Sequence, residues 1–423
     1  MHHHHQRASR IEPPISDHDE SQLEQRGFAE ERKELLAEFC ALPRTGDVLA
    51  WQRRLANAII SGEHESRGEN RDDAKRHRHL LRVIGDALVH ELLPAHTIRT
   101  LSRAPGKPAH IASQGDDFEF VFERAREIKL AGSIPILADL TTLIGVGDII
   151  AVGENSIAIV ECKNRPSPSG TPSGRLARQK ARGEQAARYL QSSFVDEGDK
   201  TRVAVAYDLP EPDYEQVALL LEASITSPHG IATHELGDRD VLLACAKDAD
   251  RSALLSAIQS AMPQIEGDSA IAFAFLNELV ESSSHRRPSP SNYPLPAELR
   301  WRLLEGDLQL IRIVDTSRLA CTFSVDEIEL HLVPRQGPTG LEVEVNSNAL
   351  EHPVVVTSEL AEICVWTPVS VERVKTAIIQ HISSTLASLI DVDGDEAILH
   401  SHLAEGDDVT YVTRYRSEGG EVR

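Results

Sequence analysis

Residues 144–163, IGVGDIIAVGENSIAIVECK, hold the side chains best suited to chemistry. Two β-branched runs flank Gly153-Glu154-Asn155-Ser156, and a four-residue break of that composition predicts a β-hairpin. If Val152 and Ile157 close the loop, Ile150 faces Ile159, Asp148 faces Glu161 and Val146 faces Lys163. Two carboxylates whose Cβ atoms stand about 5 Å apart repel by roughly 3 kcal/mol at an effective dielectric near 20. A divalent cation offsets that cost, because Mg²⁺ takes carboxylate and carbonyl oxygens. An ammonium two residues along can then orient a water or neutralise developing charge. The competing reading is a solvated surface hairpin in which Lys163 already supplies the counter-charge. By the two-residue period of a strand, Glu161 and Lys163 share one face. Ala158, Val160 and Cys162 with Ile149 and Ala151 form the other, which is apolar and expected to be buried.

A Ser/Pro/Gly-rich loop, residues 164–174, leads to an expected helix over about 175–190. On it Arg178, Arg182, Gln185 and Tyr189 recur at intervals of four, three and four, which aligns them in one polar, basic stripe. Across residues 160–190 seven basic residues, among them Lys163, Arg175 and Arg188, stand against two acidic ones. A segment of +5 in a chain of −22 collects negatively charged substrate. A basic stripe standing alone is also what a solvated helix face looks like.

Taken in order, Asp148, then Glu161-Cys162-Lys163, then Gln185-Ala186-Ala187-Arg188-Tyr189 resemble the D, (D/E)xK and QxxxY series of the PD-(D/E)xK nuclease superfamily, particularly its RecB-like and Mrr-like restriction branches. Gly115-Asp116-Asp117-Phe118-Glu119 resembles the GxxFE segment that opens a helix in Mrr-like nucleases. The likeness spans residues 114–209, about a quarter of the chain. It implies a restriction-endonuclease-like α/β domain, a mixed sheet flanked by helices, that hydrolyses phosphodiester bonds with Mg²⁺ or Mn²⁺. In that likeness Asp148, Glu161 and the backbone carbonyl of Cys162 bind the cation, and Lys163 positions the attacking water. Glu119, or Glu123 one turn later, holds the metal or its water shell, and Gln185 with Tyr189 orients Lys163 or a phosphate. Arg175, Arg178, Arg182, Arg188 and Tyr189 become the nucleic-acid-binding candidates. Gly147 stands where the superfamily's name has Pro, a departure that leaves the expected ligands in place. A strand over 201–209 and a helix over 214–223 would continue the core. DNA is the expected substrate, and bacterial restriction or anti-phage defence the expected setting. The rival is a catalytically inactive nuclease-fold subunit that binds nucleic acid or scaffolds a larger complex.

The elements around this segment set its frame. At 423 residues the chain is long enough for two or three cores, and its 41% hydrophobic and 26% charged residues fit a globular protein. A net charge of −22 excludes a protein that coats nucleic acid or anionic membrane with its whole surface. No apolar run approaches the ~20 residues of a membrane span, so a cytoplasmic protein with no membrane partner is expected. Five scattered cysteines suggest neither a disulfide framework nor a structural zinc site. We expect residues 1–20 to be tag-like or disordered, 21–103 an N-terminal helical region, and 104–250 the nuclease-like domain. A helical extension follows over 251–282, with helices at 250–262 and 268–281, and then a Ser/Pro linker at 283–296. Residues 297–423 read as an acidic α+β domain for regulation or oligomerisation, carrying ten basic and 22 acidic residues from position 295 onward. Its partner would be another protein or a second copy of the chain. Strands are expected at 308–314, 327–333, 341–345 and 409–416, and a long amphipathic helix at 371–390. His77 and His79, two apart on one helix, point to different faces and are expected to face solvent. Residues 391–396 are read as an acidic turn rather than a calcium loop, because the glycine and the final ligand are misplaced.

Overall fold

A computed structural model of the chain describes residues 17–42, 46–65, 71–93, 97–98, 101, 110–154, 156–162, 194–197, 200–203, 211–262, 270–277, 290–337, 340–348, 354–356 and 364–390. The fold is mixed α/β, with helices packed on antiparallel sheets. Among the described residues no helix is long and apolar enough to cross a membrane.

The first unit starts with three helices, α1 (Asp17–Ala41), α2 (Val48–Glu65) and α3 (Arg71–Leu92). The break between α2 and α3 falls at the polar stretch where the periodicity stops. Helix α4 (Asp116–Leu130) and the strands β1 (Ile134–Leu137), β2 (Ile149–Val152) and β3 (Ile157–Val160) follow. The strands form an antiparallel meander in the order β1-β2-β3. Leu55, Ile59, Leu81, Ile84, Phe118, Phe122, Ile136, Ile149 and Ile150 belong to one buried cluster, so helices and hairpin share a single core. The expected border at residue 103 therefore does not separate two hydrophobic interiors.

Gln52 shows how α2 holds the sheet. Its side-chain Nε2–H donates to the Pro135 carbonyl at 2.8 Å, and its Oε1 accepts from the Leu137 N–H at 2.8 Å. A side-chain amide thus stands where a fourth strand would pair with β1. Gln52 is 1% exposed, so both bonds are made out of water, where losing them is costly.

The second unit carries α5 (Tyr214–Thr226), β6 (Ile231–Gly237), β7 (Asp240–Ala246), α6 (Arg251–Ala261), β8 (Ile271–Phe275), α7 (Ala297–Glu305) and β9 (Leu308–Asp315). Its sheet runs β6-β7-β9-β8 and is antiparallel throughout. A second sheet, β10 (Cys321–Val325), β11 (Ile328–Gly337), β12 (Gly340–Asn346) and β13 (Val354–Val356), shares its core with α8 (Val371–Ile390). At the centre Arg312 and Asp240 form a buried bidentate pair, Nε–Oδ1 3.0 Å and Nη2–Oδ2 2.7 Å. Arg312 Nη2 also donates to Val369 O, and Asp240 Oδ2 accepts from Val371 N, which fastens the start of α8 to the sheet.

Several expectations change here. Residues 268–281, expected as a helix, contain strand β8, because Ile271-Ala-Phe-Ala-Phe275 pairs with β9 from Ile271↔Asp315 to Phe275↔Ile311. Its apolar spacing fits a helix stripe, but cross-strand pairing decides a short aromatic segment. Strands β7 and β9 pair from Asp240↔Val314 to Ala246↔Leu308, so one sheet joins residues on both sides of 283–296 and of the expected border at 250. His77 is fully buried instead of solvent-facing: it stacks on Phe28 with ring centroids 4.2 Å apart, and Arg32 Nη1 lies 2.9 Å from its Nδ1. That Arg32 also bonds Glu305 on α7, and Trp301 and Leu304 of α7 enter the first core, so α7 ties the two units together. Strand β5 (Lys200–Val203) covers the start of the expected 201–209 strand and pairs with β4 (Phe194–Glu197) in a two-stranded sheet. The helices at 250–262, 214–223 and 371–390 match α6, α5 and α8, whereas the 409–416 strand and the 391–396 turn lie outside the described residues.

Replacing Gln52 with Leu removes two buried hydrogen bonds and strands the Pro135 carbonyl and the Leu137 N–H. Urea denaturation should show a loss of about 2–4 kcal/mol with an unchanged m-value.

Candidate functional site

The site is built on the β2–β3 hairpin. Its register is Ile149↔Val160, Ile150↔Ile159, Ala151↔Ala158 and Val152↔Ile157, the pairing that the turn composition predicts. Because β2 is the middle strand, Ile149 and Ile150 are both fully buried, while Ala158 on β3 is exposed. The expected split into one apolar and one polar face is therefore not what the hairpin shows. Burial follows strand position in the sheet more closely than it follows alternation.

The register ends one residue short of the acids. Asp148 N–H donates to the Val160 carbonyl at 2.9 Å, so Asp148 does not continue the ladder opposite Glu161. Its carboxylate turns to the main chain instead, where Oδ2 accepts from the Cys162 N–H at 2.6 Å. The cause lies one residue upstream. Gly147 has φ +76°, and a Cβ there would sit 2.7 Å from Ile159 Cγ2. Proline, fixed near −65°, cannot occupy this position, so glycine here sets a backbone path that a Pro-Asp pair could not follow.

Burial raises the Asp148 carboxyl above its ordinary range, the Cys162 N–H works against that, and the charge of Asp139 adds to the rise. The carboxylate that presses on Asp148 is thus Asp139, in the 3₁₀ turn Ala138–Leu140 after β1, which the sequence reading passed over. The Cys162 thiol is pushed up to about 11 by burial first, then by Asp148, with Arg124 opposing and Glu161 adding. Asp148 and Glu161 therefore both lie within electrostatic reach of Cys162, one on each side of the hairpin's open end.

Glu119 is placed elsewhere. It lies in the first turn of α4, after Gly115 with φ +50°, as its sequence context predicts. Its carboxylate is held by both terminal nitrogens of Arg53 on α2, one at 2.7 Å, and the Arg53 hydrogen bond lowers the Glu119 carboxyl below its usual range. Arg53 stacks over Phe122 at 4.1 Å, which fixes the pair. The alternative acid, Glu123, pairs with Arg126 at 2.6 Å. Among the described residues no group of three or more His, Cys, Asp or Glu side chains is arranged to hold a metal ion. The expected trio of Asp148, Glu161 and Glu119 side chains is therefore not assembled. Lys163, Arg175, Arg178, Arg182, Gln185, Arg188 and Tyr189 lie outside the described residues.

The loop that carries Asp148 is held from α3. Arg82 Nε donates to the Asp139 carbonyl at 3.1 Å, while its Nη2 meets buried Glu63 at 3.1 Å. Glu63 also accepts from the Ala112 N–H, and Gln114 Nε2 donates to Asp139 Oδ2 at 2.8 Å. Gly85 lets the helix touch the turn, since a Cβ there would lie 2.1 Å from Leu140 O. Asp86 accepts from Thr142 N at 2.7 Å, Leu143 N at 3.2 Å and the Thr142 hydroxyl. Arg82, Gly85 and Asp86 are spaced i, i+3, i+4 and so share one face of α3. Sequence alone carried a signal for them: a glycine and two charges interrupt the otherwise apolar run 80–89.

Comparison of the chain with protein-family models, with curated proteins and with solved structures finds no match.

Gly147→Ala should cost more than about 1 kcal/mol, from the positive φ and the contact with Ile159, and hydrogen exchange should speed up at β3 amides before those of α2. Burial raises Asp86 from 3.8 to about 7 despite its hydrogen bonds from Thr142. The native state then holds a proton that the unfolded chain has released, so this group's contribution is full below pH 3.8 and is lost as pH rises towards 7. The unfolding free energy of wild type relative to Asp86→Asn should accordingly fall across that window and level off above it.

Proposed function

We propose that the chain is a metal-dependent phosphodiesterase of PD-(D/E)xK type, a nuclease whose first choice of substrate is DNA. The observation that supports this most is the pair of acids, Asp148 and Glu161, flanking Cys162 at the open end of one hairpin, with Asp148 withdrawn from water and facing the charge of Asp139. Negative charge at a half-buried Asp148 with Asp139 nearby is costly for a fold and is relieved by a hard cation. The order of a helix followed by an antiparallel meander with the acids at its far end agrees with a restriction-endonuclease-like core. In this reading Asp148, Glu161 and the Cys162 carbonyl hold Mg²⁺ or Mn²⁺, whose chemistry is to neutralise charge on the scissile phosphate and acidify water. The Cys162 N–H orients the Asp148 carboxylate by occupying one of its oxygens, leaving the other for the cation. Lys163 directs the attacking water, and the basic stripe with Tyr189 receives the nucleic-acid backbone. Restriction or anti-phage defence is the setting this chemistry fits.

A second reading is favoured by one contact. Arg53 engages Glu119 on both oxygens, which removes the third acid that the superfamily resemblance supplies. A nuclease fold kept for binding or scaffolding would tolerate that closure.

Cleavage of plasmid and of single- and double-stranded oligonucleotides in Mn²⁺, with EDTA as the control, separates the two. Asp148→Ala and Glu161→Ala should each reduce the rate by more than about a hundredfold without lowering nucleic-acid affinity in EDTA. Equal cleavage by wild type and both variants would overturn the enzymatic reading. An Arg53→Ala protein that cleaves faster than wild type would mark the Glu119 contact as a brake.

A further inference from the structure

The acids of the site sit at the end of a loop, and the geometry of that loop is set from outside it. Between β1 and β2 the chain has no ladder partner except at its ends, where Ala138 N–H donates to Asp148 O at 3.0 Å. Between those ends Gly145 N–H bonds the Leu101 carbonyl and Gln114 bonds Asp139, but the contacts to Asp139 O, Thr142 and Leu143 come from α3, a helix of the N-terminal region that has no side chain in the proposed site. The deepest of these contacts is Asp86. It is 3% exposed, and it satisfies two main-chain N–H groups and one hydroxyl of Thr142 and Leu143, six and five residues before Asp148. A buried carboxylate facing three donors is an expensive way to hold a loop, since an apolar contact would hold it without desolvating a charge. What the carboxylate adds is placement, because three convergent hydrogen bonds fix position and direction together.

We propose that Asp86 is a positioning residue for the candidate site, holding the 142–143 main chain so that the loop delivers Asp148 to the open end of the hairpin. Arg82 and Gly85 assist from the same helix face, one by gripping the Asp139 carbonyl and the other by allowing contact with Leu140 O. The N-terminal helices are then part of the cation site's architecture although none of their side chains touches the cation. This rests on the nuclease reading, in which Asp148 is a ligand.

The test uses the full chain and Mn²⁺ alone, at pH 8. Calorimetry gives the dissociation constant, and the electron paramagnetic resonance spectrum of the bound ion reports its coordination. Asp86→Asn keeps the shape and one oxygen for the two main-chain donors but removes the charge and turns its amide hydrogens on the Thr142 hydroxyl, and it should weaken Mn²⁺ binding roughly tenfold, the loss typical of an outer-shell partner, with a changed spectrum. Thr142→Val keeps the main-chain donor and loses only the hydroxyl, so it remains informative if Asp86→Asn fails to fold, and it should show a smaller change in the same direction. Ile59→Ala, buried in the same core from α2, should lower stability while leaving affinity and spectrum as in wild type. Wild-type affinity and spectrum in both loop variants would overturn the positioning role while leaving the nuclease reading intact. A wild-type chain that binds no Mn²⁺ would remove the metal site, and the role of Asp86 with it.

Discussion

One hydrogen bond organises the region of the candidate site. The Asp148 carboxylate accepts the Cys162 N–H and so closes the hairpin at the point where its ladder has already ended. That bond brings the start of β2 and the end of β3 together without a further pair of strand residues. It also spends one carboxylate oxygen on the main chain and turns the side chain in from solvent. The backbone that makes this turn possible belongs to Gly147, whose positive φ is open to glycine and closed to proline.

The second constraint is steric. Helix α3 approaches the 3₁₀ turn so closely that residue 85 has no room for a side chain. Contact at that distance lets Arg82 and Asp86, one turn apart, reach main-chain groups within the turn and just after it. The result is a loop whose apolar residues Leu143, Ile144 and Val146 are buried and whose polar groups are satisfied partly from α3 and partly within the loop, where Thr141 bonds Ala138 and Ile144. The same economy recurs in the second unit. There Arg312 and Asp240 neutralise each other inside the sheet and use their remaining hydrogen-bonding capacity on residues 367–371. Between the units, α7 offers Trp301 and Leu304 to the first core and Glu305 to Arg32.

Local patterns were the legible part of the sequence. The four-residue break between two β-branched runs specifies the β2–β3 register, and the 371–390 periodicity matches α8 because both signals are complete within one segment. Partners supplied by distant segments were not legible. The sequence pairing of Asp148 with Glu161 assumes that the ladder continues, whereas the positive φ of Gly147 ends it. His77 looks like one of two histidines on a polar helix, yet Phe28 and Arg32 from α1 cover it. The 271–275 segment is too short for its periodicity to decide between helix and strand until β9 lies beside it. Glu119 was correctly placed at a helix start, but its engagement by Arg53 depends on the packing of α2 against α4.

The amide of Gln52 has an implication for how the three-stranded sheet can be extended. With the Pro135 carbonyl and the Leu137 N–H already taken, and with Pro135 lacking a hydrogen to offer, the outer edge of β1 is largely occupied at these positions. Pairing along β1 would require that amide to give up its two bonds, whereas β3 borders only β2 among the described strands.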